Sequence, residues 1–212
     1  MATIKSYYAR ITDTIDLPDG WRDRSARIIS ILSSPPLIAL ASIIIAAQAV
    51  DNEPVLYWTI IYIALFTLTP TLYVLYLVRR GLITDFHMKI REQRTWPFLV
   101  ILLCSSLIFL AMYFGGAPRL MLIISAVAIA QLMFILLITL RWKISGHCSA
   151  VSGLAVLLVA LFGQSLLPIT LLVPATAWSR IRLDRHTFAQ SVAGIFLGIV
   201  TATSILYLTN VI

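Results

Sequence analysis

A succession of apolar runs, each near the length that crosses a bilayer, constrains this chain more than anything else in its sequence. The runs fall at about 28–50, 55–78, 98–114, 120–140, 148–163, 165–178 and 187–209. A helix rises ~1.5 Å per residue and a hydrocarbon core is ~30 Å thick, so a crossing takes ~20 apolar residues. Lipid offers no partner to backbone polar groups, so such runs must be helices that bond internally. Composition agrees: 60% of the 212 residues are hydrophobic and only 12% are charged, against about 25% charged in a soluble domain. The expected fold is all-α, a polytopic transmembrane helical bundle of about six to seven spans.

The breaks carry turn chemistry. "DNEP" (51–54) separates the first two runs and "GGAPR" (115–119) the third and fourth. The 31 residues from 148 to 178 are too many for one crossing without strong tilt, so a pair of short helices broken near "FGQS" (162–165) is expected. Pro35, Pro36, Pro70, Pro168 and Pro174 lie within runs, where neighbouring helices re-satisfy the freed backbone. Residues 1–27 are polar and mixed in charge, without the apolar core and small-residue cleavage site of a signal peptide. They are expected to form a surface or amphipathic segment, with "LPDG" (17–20) as a turn and Asp23–Arg27 as an i,i+4 pair. Residues 28–212 then form one transmembrane domain.

With seven crossings, the N-terminal segment and the loops 79–97, 141–147 and 179–186 share one face, which holds 15 of the 16 Lys and Arg. Arg119 stands on the other face with Asp51 and Glu53. The positive-inside rule puts the charged face in the cytoplasm. Trp96, Trp142 and Trp178 fall at helix ends on that face, as an interfacial aromatic belt does. The net charge of +7 is accordingly read as topology, not as nucleic-acid binding. Cys104 and Cys148 are too few for a disulfide framework and make no metal pattern; both are expected as free buried thiols.

The three histidines, His87, His147 and His186, all lie on the charged face. "ISGHCSA" (144–150) opens a helix, with Ser145 as N-cap, Gly146 allowing close backbone approach and free first-turn amides around His147. "SRIRLDRHTFAQ" (179–190) places Arg180, a bidentate fork for phosphate, ahead of His186, with Gln190 one turn further on. The loop "HMKIREQRTWP" (87–97) adds Lys89, Arg91 and Arg94. Taken singly, each block has a structural explanation in capping or topology.

Taken together, the order resembles the three-block signature of the type-2 phosphatidic acid phosphatase superfamily, membrane lipid phosphatases related to vanadium haloperoxidases. Its blocks read K-x6-R-P, P-S-G-H and S-R-x5-H-x3-D. Here the first is Lys89, six residues, Trp96-Pro97; the second is Ile144-Ser145-Gly146-His147; the third is Ser179-Arg180, five residues, His186, three residues, Gln190. Three departures stand out: Trp96 replaces the arginine, Ile144 the proline and Gln190 the aspartate. The resemblance implies that His186 is the nucleophile and His147 the general acid/base. Lys89, Ser145, Gly146 and Arg180 would hold phosphoryl oxygens, with Arg94 standing in for the missing arginine. Gln190, or Asp184 or a backbone carbonyl in its stead, would orient His186. It also requires all three blocks on one face, which the helical pair in 148–178 satisfies.

The function implied is metal-independent hydrolysis of a lipid phosphate through a phosphohistidine, without a cofactor. Phosphatidic acid, phosphatidylglycerophosphate and isoprenyl mono- or diphosphates are the candidate substrates, with membrane lipids as partners. A transporter, the rival class, would place ionisable residues inside spans, where only Gln48, Gln131 and Gln164 stand out. The pair Gly194-x3-Gly198 would pack the last span against a neighbour, within the chain or in a homodimer; a non-catalytic interaction protein is the third reading.

Overall fold

The computed structural model describes residues 20–49 and 54–212, and among them the chain is helical with no strand. The expected turn at 17–20, the break at 51–54 and most of the N-terminal segment lie wholly or partly outside the described residues.

A short helix α1 (Trp21–Leu32) leads into α2 (Pro35–Gln48). The two meet at a 54° bend over Ser33 and Ser34, so the first apolar run is a bent pair. Pro35 and Pro36 begin α2, where a missing N–H costs nothing. α1 keeps Ala26 and Ser30 inward and leaves Trp21, Ile28, Ile31 and Leu32 outside.

α3 (Val55–Arg79) crosses next, and its middle stretch Tyr62–Leu68 widens into a π-helix. Pro70 has no amide to give to the preceding turn. The hydroxyl of Thr69 donates to the carbonyl of Ala64, five residues back, which also accepts the Thr69 amide. α4 (Thr95–Phe114) and α5 (Arg119–Thr139) are straight, long and apolar. α6 (Gly146–Phe162) is shorter. It stops at Gly163, whose φ of 78° takes the left-handed conformation that glycine adopts without strain. A 3₁₀ stretch, Gln164–Leu171, follows and runs into α7 (Leu172–Arg182), giving the helical pair expected for 148–178. α8 (Phe188–Leu208) is last.

Among the described residues four helices are long and apolar enough to cross a membrane, or five when α1 and α2 count as one bent span. α6 and the 3₁₀–α7 leg supply the shorter remaining segments. The chain is a multi-pass membrane protein.

The centre of the bundle is the α6–α8 pair. A β-carbon on Gly194 would collide with the Ser145 carbonyl, and one on Gly198 with the Ser149 carbonyl and the Ser152 hydroxyl. The two glycines therefore serve close packing inside the chain. Both cysteines are free; Cys148 is buried as expected, but Cys104 faces outward from α4.

Candidate active site

The third block shows why its spacing matters. α7 ends in a reversal that puts Asp184 at φ 50°. The Asp184 amide donates to the Ile181 carbonyl and the Arg185 amide to the Arg180 carbonyl, which is the Schellman pattern. One step further, the His186 amide also donates to the Arg180 carbonyl, at 3.2 Å. Five intervening residues thus form one helix end and bring Arg180 and His186 side by side.

α8 begins with a capping box. The Thr187 hydroxyl accepts from the Gln190 amide, and Gln190 Oε1 accepts from the Thr187 amide at 3.2 Å. Because that oxygen faces a backbone N–H, its orientation is settled. It lies 3.2 Å from His186 Nδ1, so Nδ1 carries the hydrogen and donates. Nε2 of His186 is left with its lone pair. Gln190 therefore fixes both the angle and the tautomer of the ring.

The second block opens α6. Ser145 Oγ caps the helix, accepting from the Cys148 amide. The Ser145 amide donates to the Gln190 carbonyl across the interface with α8. His147 is buried in the first turn, and its Nε2 has no hydrogen-bond partner.

The first block is held by Asp85, Arg185 and Arg94. Asp85 accepts the amides of His87 and Lys89, which folds the loop, and pairs with Arg185 at 3.1 Å. Arg94 is buried and donates to the carbonyls of Met88, His87 and Ile144, tying the first block to the second. Lys143 Nζ donates to the Arg185 carbonyl at 2.6 Å, tying the second to the third.

The blocks converge on one cavity of about 280 Å³. His87, Arg94, Gly146, His147, Arg180 and His186 line one end. The lining continues between the helices past Phe66, Val74, Phe98, Ile101 and Leu154 to Leu206. Arg180 is 2% exposed; one of its amino groups donates to the Ser30 hydroxyl of α1 at 2.6 Å, while its Nε has no partner. Ser179 Oγ donates to the Ala26 carbonyl on the same helix.

Of the residues singled out in the sequence, Lys89 is not brought into this lining. Its Nζ lies 2.9 Å from Asp184, whose side chain is 93% exposed. Asp184 therefore does not orient His186. Ser145 is fully buried as a cap behind Gly146. Asp23 is engaged by Arg182 at 2.8 Å, a pairing across α1 and α7. Reasoning from sequence passed over His87 and Lys143. Both sit within two residues of a motif position, which was the signal available.

The electrostatics suit an anion. Burial pushes the Lys143 amine down to about 8, assisted by the neighbouring charges of Arg94, Lys89, Arg180 and Arg185. Burial, then Arg94, Arg180 and Lys143, hold His186 far below the ordinary histidine range, so its ring is neutral. A cluster of cations with few carboxylates repels further positive charge and gains by taking up a negative one.

A family model described as PAP2 superfamily matches residues 143–211, from Lys143 through the second and third blocks to the end of α8. No curated protein and no solved structure matches the chain. That match lies over two of the three blocks that surround the cavity, so this part of the chain is similar to the PAP2 superfamily, whose members are in general phosphatases acting on phosphate esters.

Proposed function

We propose that this protein hydrolyses the phosphate of a membrane lipid through a phosphohistidine. The observation that carries the reading is the single cavity, with histidines and arginines at one end and an apolar lining down the bundle. A headgroup phosphate fits the first part and a hydrocarbon chain the second.

The substrate phosphoryl group binds against Arg180, the first-turn amides of α6 at Gly146, and the spare donors of Arg94. His186 Nε2 attacks phosphorus in line, forming an N–P bond as the P–O bond to the lipid breaks. His147 gives its proton to the departing oxygen. It then takes a proton from a water that attacks phosphorus, which releases inorganic phosphate and restores both histidines. Charge on the equatorial oxygens is the main demand of such a transfer, and side-chain cations meet it here. On this reading the reaction needs no metal ion. The positive-charge bias supports a cytoplasmic active-site face.

The test is phosphate release by the purified protein in detergent with EDTA. The panel comprises short-chain phosphatidic acid, phosphatidylglycerophosphate, and isoprenyl mono- and diphosphates. Release from at least one, abolished by His186→Ala, is expected. No release from any of them, or an active His186→Ala protein, refutes the reading.

A further inference from the structure

A third histidine stands beside the two in the motif blocks. His87 lies in the loop between α3 and α4, and its ring centroid is 5.3 Å from that of His147, with the planes 36° apart. The hydrogen bonds of His87 run through its backbone, the amide to Asp85 and the carbonyl from Arg94, so its ring nitrogens are free. His87 is partly exposed, whereas His147 is buried with an unpartnered Nε2. Both line the same cavity. His87 therefore lies between the loop surface and a buried group that must change its protonation state in each turnover.

We infer that His87 is the proton-exchange partner of His147, moving protons between bulk water and the buried general acid. This rests on the phosphatase reading above. In that cycle His147 loses a proton to the leaving oxygen and regains one from the attacking water. His147 is buried, so any proton it has lost by the time the phosphate product departs must be returned through a neighbour before the next substrate reacts. The rings are close enough for transfer directly or through one water. The proton on a His87 nitrogen moves to His147, and His87 takes another from solvent.

The surroundings of His87 make it responsive to substrate. The charged and titratable groups around it are Asp85 of its own loop, Arg94 at the start of α4, His147 of α6, and Arg180 and Arg185 of the third block. Burial, then Arg180 and Arg185, lower its ring to about 4, with Asp85 opposing them. A substrate dianion arriving in the cavity offsets both arginines and raises the proton affinity of His87 when a proton is needed.

The experiment compares wild type with His87→Gln and His87→Ala, full chain in detergent, on the best substrate of the panel. The expected result for both is a fall in kcat of about tenfold, below the ~10²–10⁴-fold of a group that transfers the proton to the substrate itself. KM should change by no more than about twofold, and the alkaline limb of kcat should move to lower pH. Added imidazole should restore most of the His87→Ala rate and do nothing for wild type. Wild-type kcat and pH limb in both variants overturn the inference. So does a loss that imidazole cannot restore, or one in which KM rises in step, since these describe a ring that only holds the loop or binds phosphate. An active wild type with unaffected variants overturns this inference alone; an inactive wild type overturns it together with the phosphatase reading.

Discussion

Gln190 offers the sharpest test of how this site works. Its Oε1 has two ties, to the Thr187 amide and to His186 Nδ1, each 3.2 Å long. Glutamate has the same reach, so Gln190→Glu keeps both and adds a negative charge beside the nucleophile. Two unit charges about 4 Å apart interact by roughly 4 kcal/mol at an effective dielectric of 20. The new carboxylate also meets Arg94, Arg180 and Lys143, which surround His186, so only part of that reaches the ring. An opposite charge at such range moves a pKa by ~1–3 units, and here the direction is up. The phosphohistidine, whose ring is cationic, is stabilised by the same charge. Gln190→Glu should therefore raise the acid limb of kcat/KM by at least about one pH unit. It should also sustain or increase kcat at neutral pH. Gln190→Ala loses a neutral orienting hydrogen bond worth ~0.5–1.5 kcal/mol, which is about two- to tenfold in rate, and opens the capping box. The assay is phosphate release across pH 4–9 on the best lipid substrate, in a constant-ionic-strength buffer. If both variants follow the wild-type profile, Gln190 does not orient the nucleophile. The shorter Gln190→Asp would restore the family residue but not the reach that closes the box in this chain.

Two further outcomes follow from the cross-links. Ser30→Ala removes a buried hydrogen bond to a charged group, worth ~1.5–3 kcal/mol, from an Arg180 whose Nε is already unpartnered. About a tenfold loss in kcat/KM is expected, and wild-type kinetics would show that α1 does not set the arginine. Lys143, lowered to about 8 chiefly by burial, is charged below that pH and neutral above it. Competitive inhibition by sulfate, whose own charge is constant in this range, should weaken as pH rises through about 8. Lys143→Met should abolish that dependence, and an unchanged pH curve in the variant would place the lysine outside the anion's field.

Much of the bundle was legible because membrane crossing is a one-dimensional property of sequence. Apolar run length and turn residues located the helices, and the excess length of 148–178 pointed to the pair that α6 and α7 form. The Arg180–His186 spacing was legible too, because it records a single helix end. What stayed hidden were contacts between distant segments. Nothing local in Ser30 marks it as the partner of an arginine 150 residues away. Arg185 looked like a topological charge because its partner Asp85 lies 100 residues upstream. Lys89 matches its motif by position, yet its flexible stem runs outward to Asp184. Trp96 made the first block look incomplete. Arg94, two residues before it, is buried among three carbonyls, so in this structure it fastens the loops as well as facing the cavity.

The hold of α1 on the third block has a consequence for how the protein is made. Ser30 and Ala26 are among the first described residues to be synthesised, and their partners Arg180 and Ser179 come about 150 residues later. At a synthesis rate of ~5–20 residues per second, α1 waits roughly 8–30 s before its partner helix exists. During that interval Ser30 and Ala26 have no partners, and Arg180 and His186 are still to be made. On the proposed mechanism the site is complete only when the last sixth or so of the chain, from Ser179 through α8, has been made.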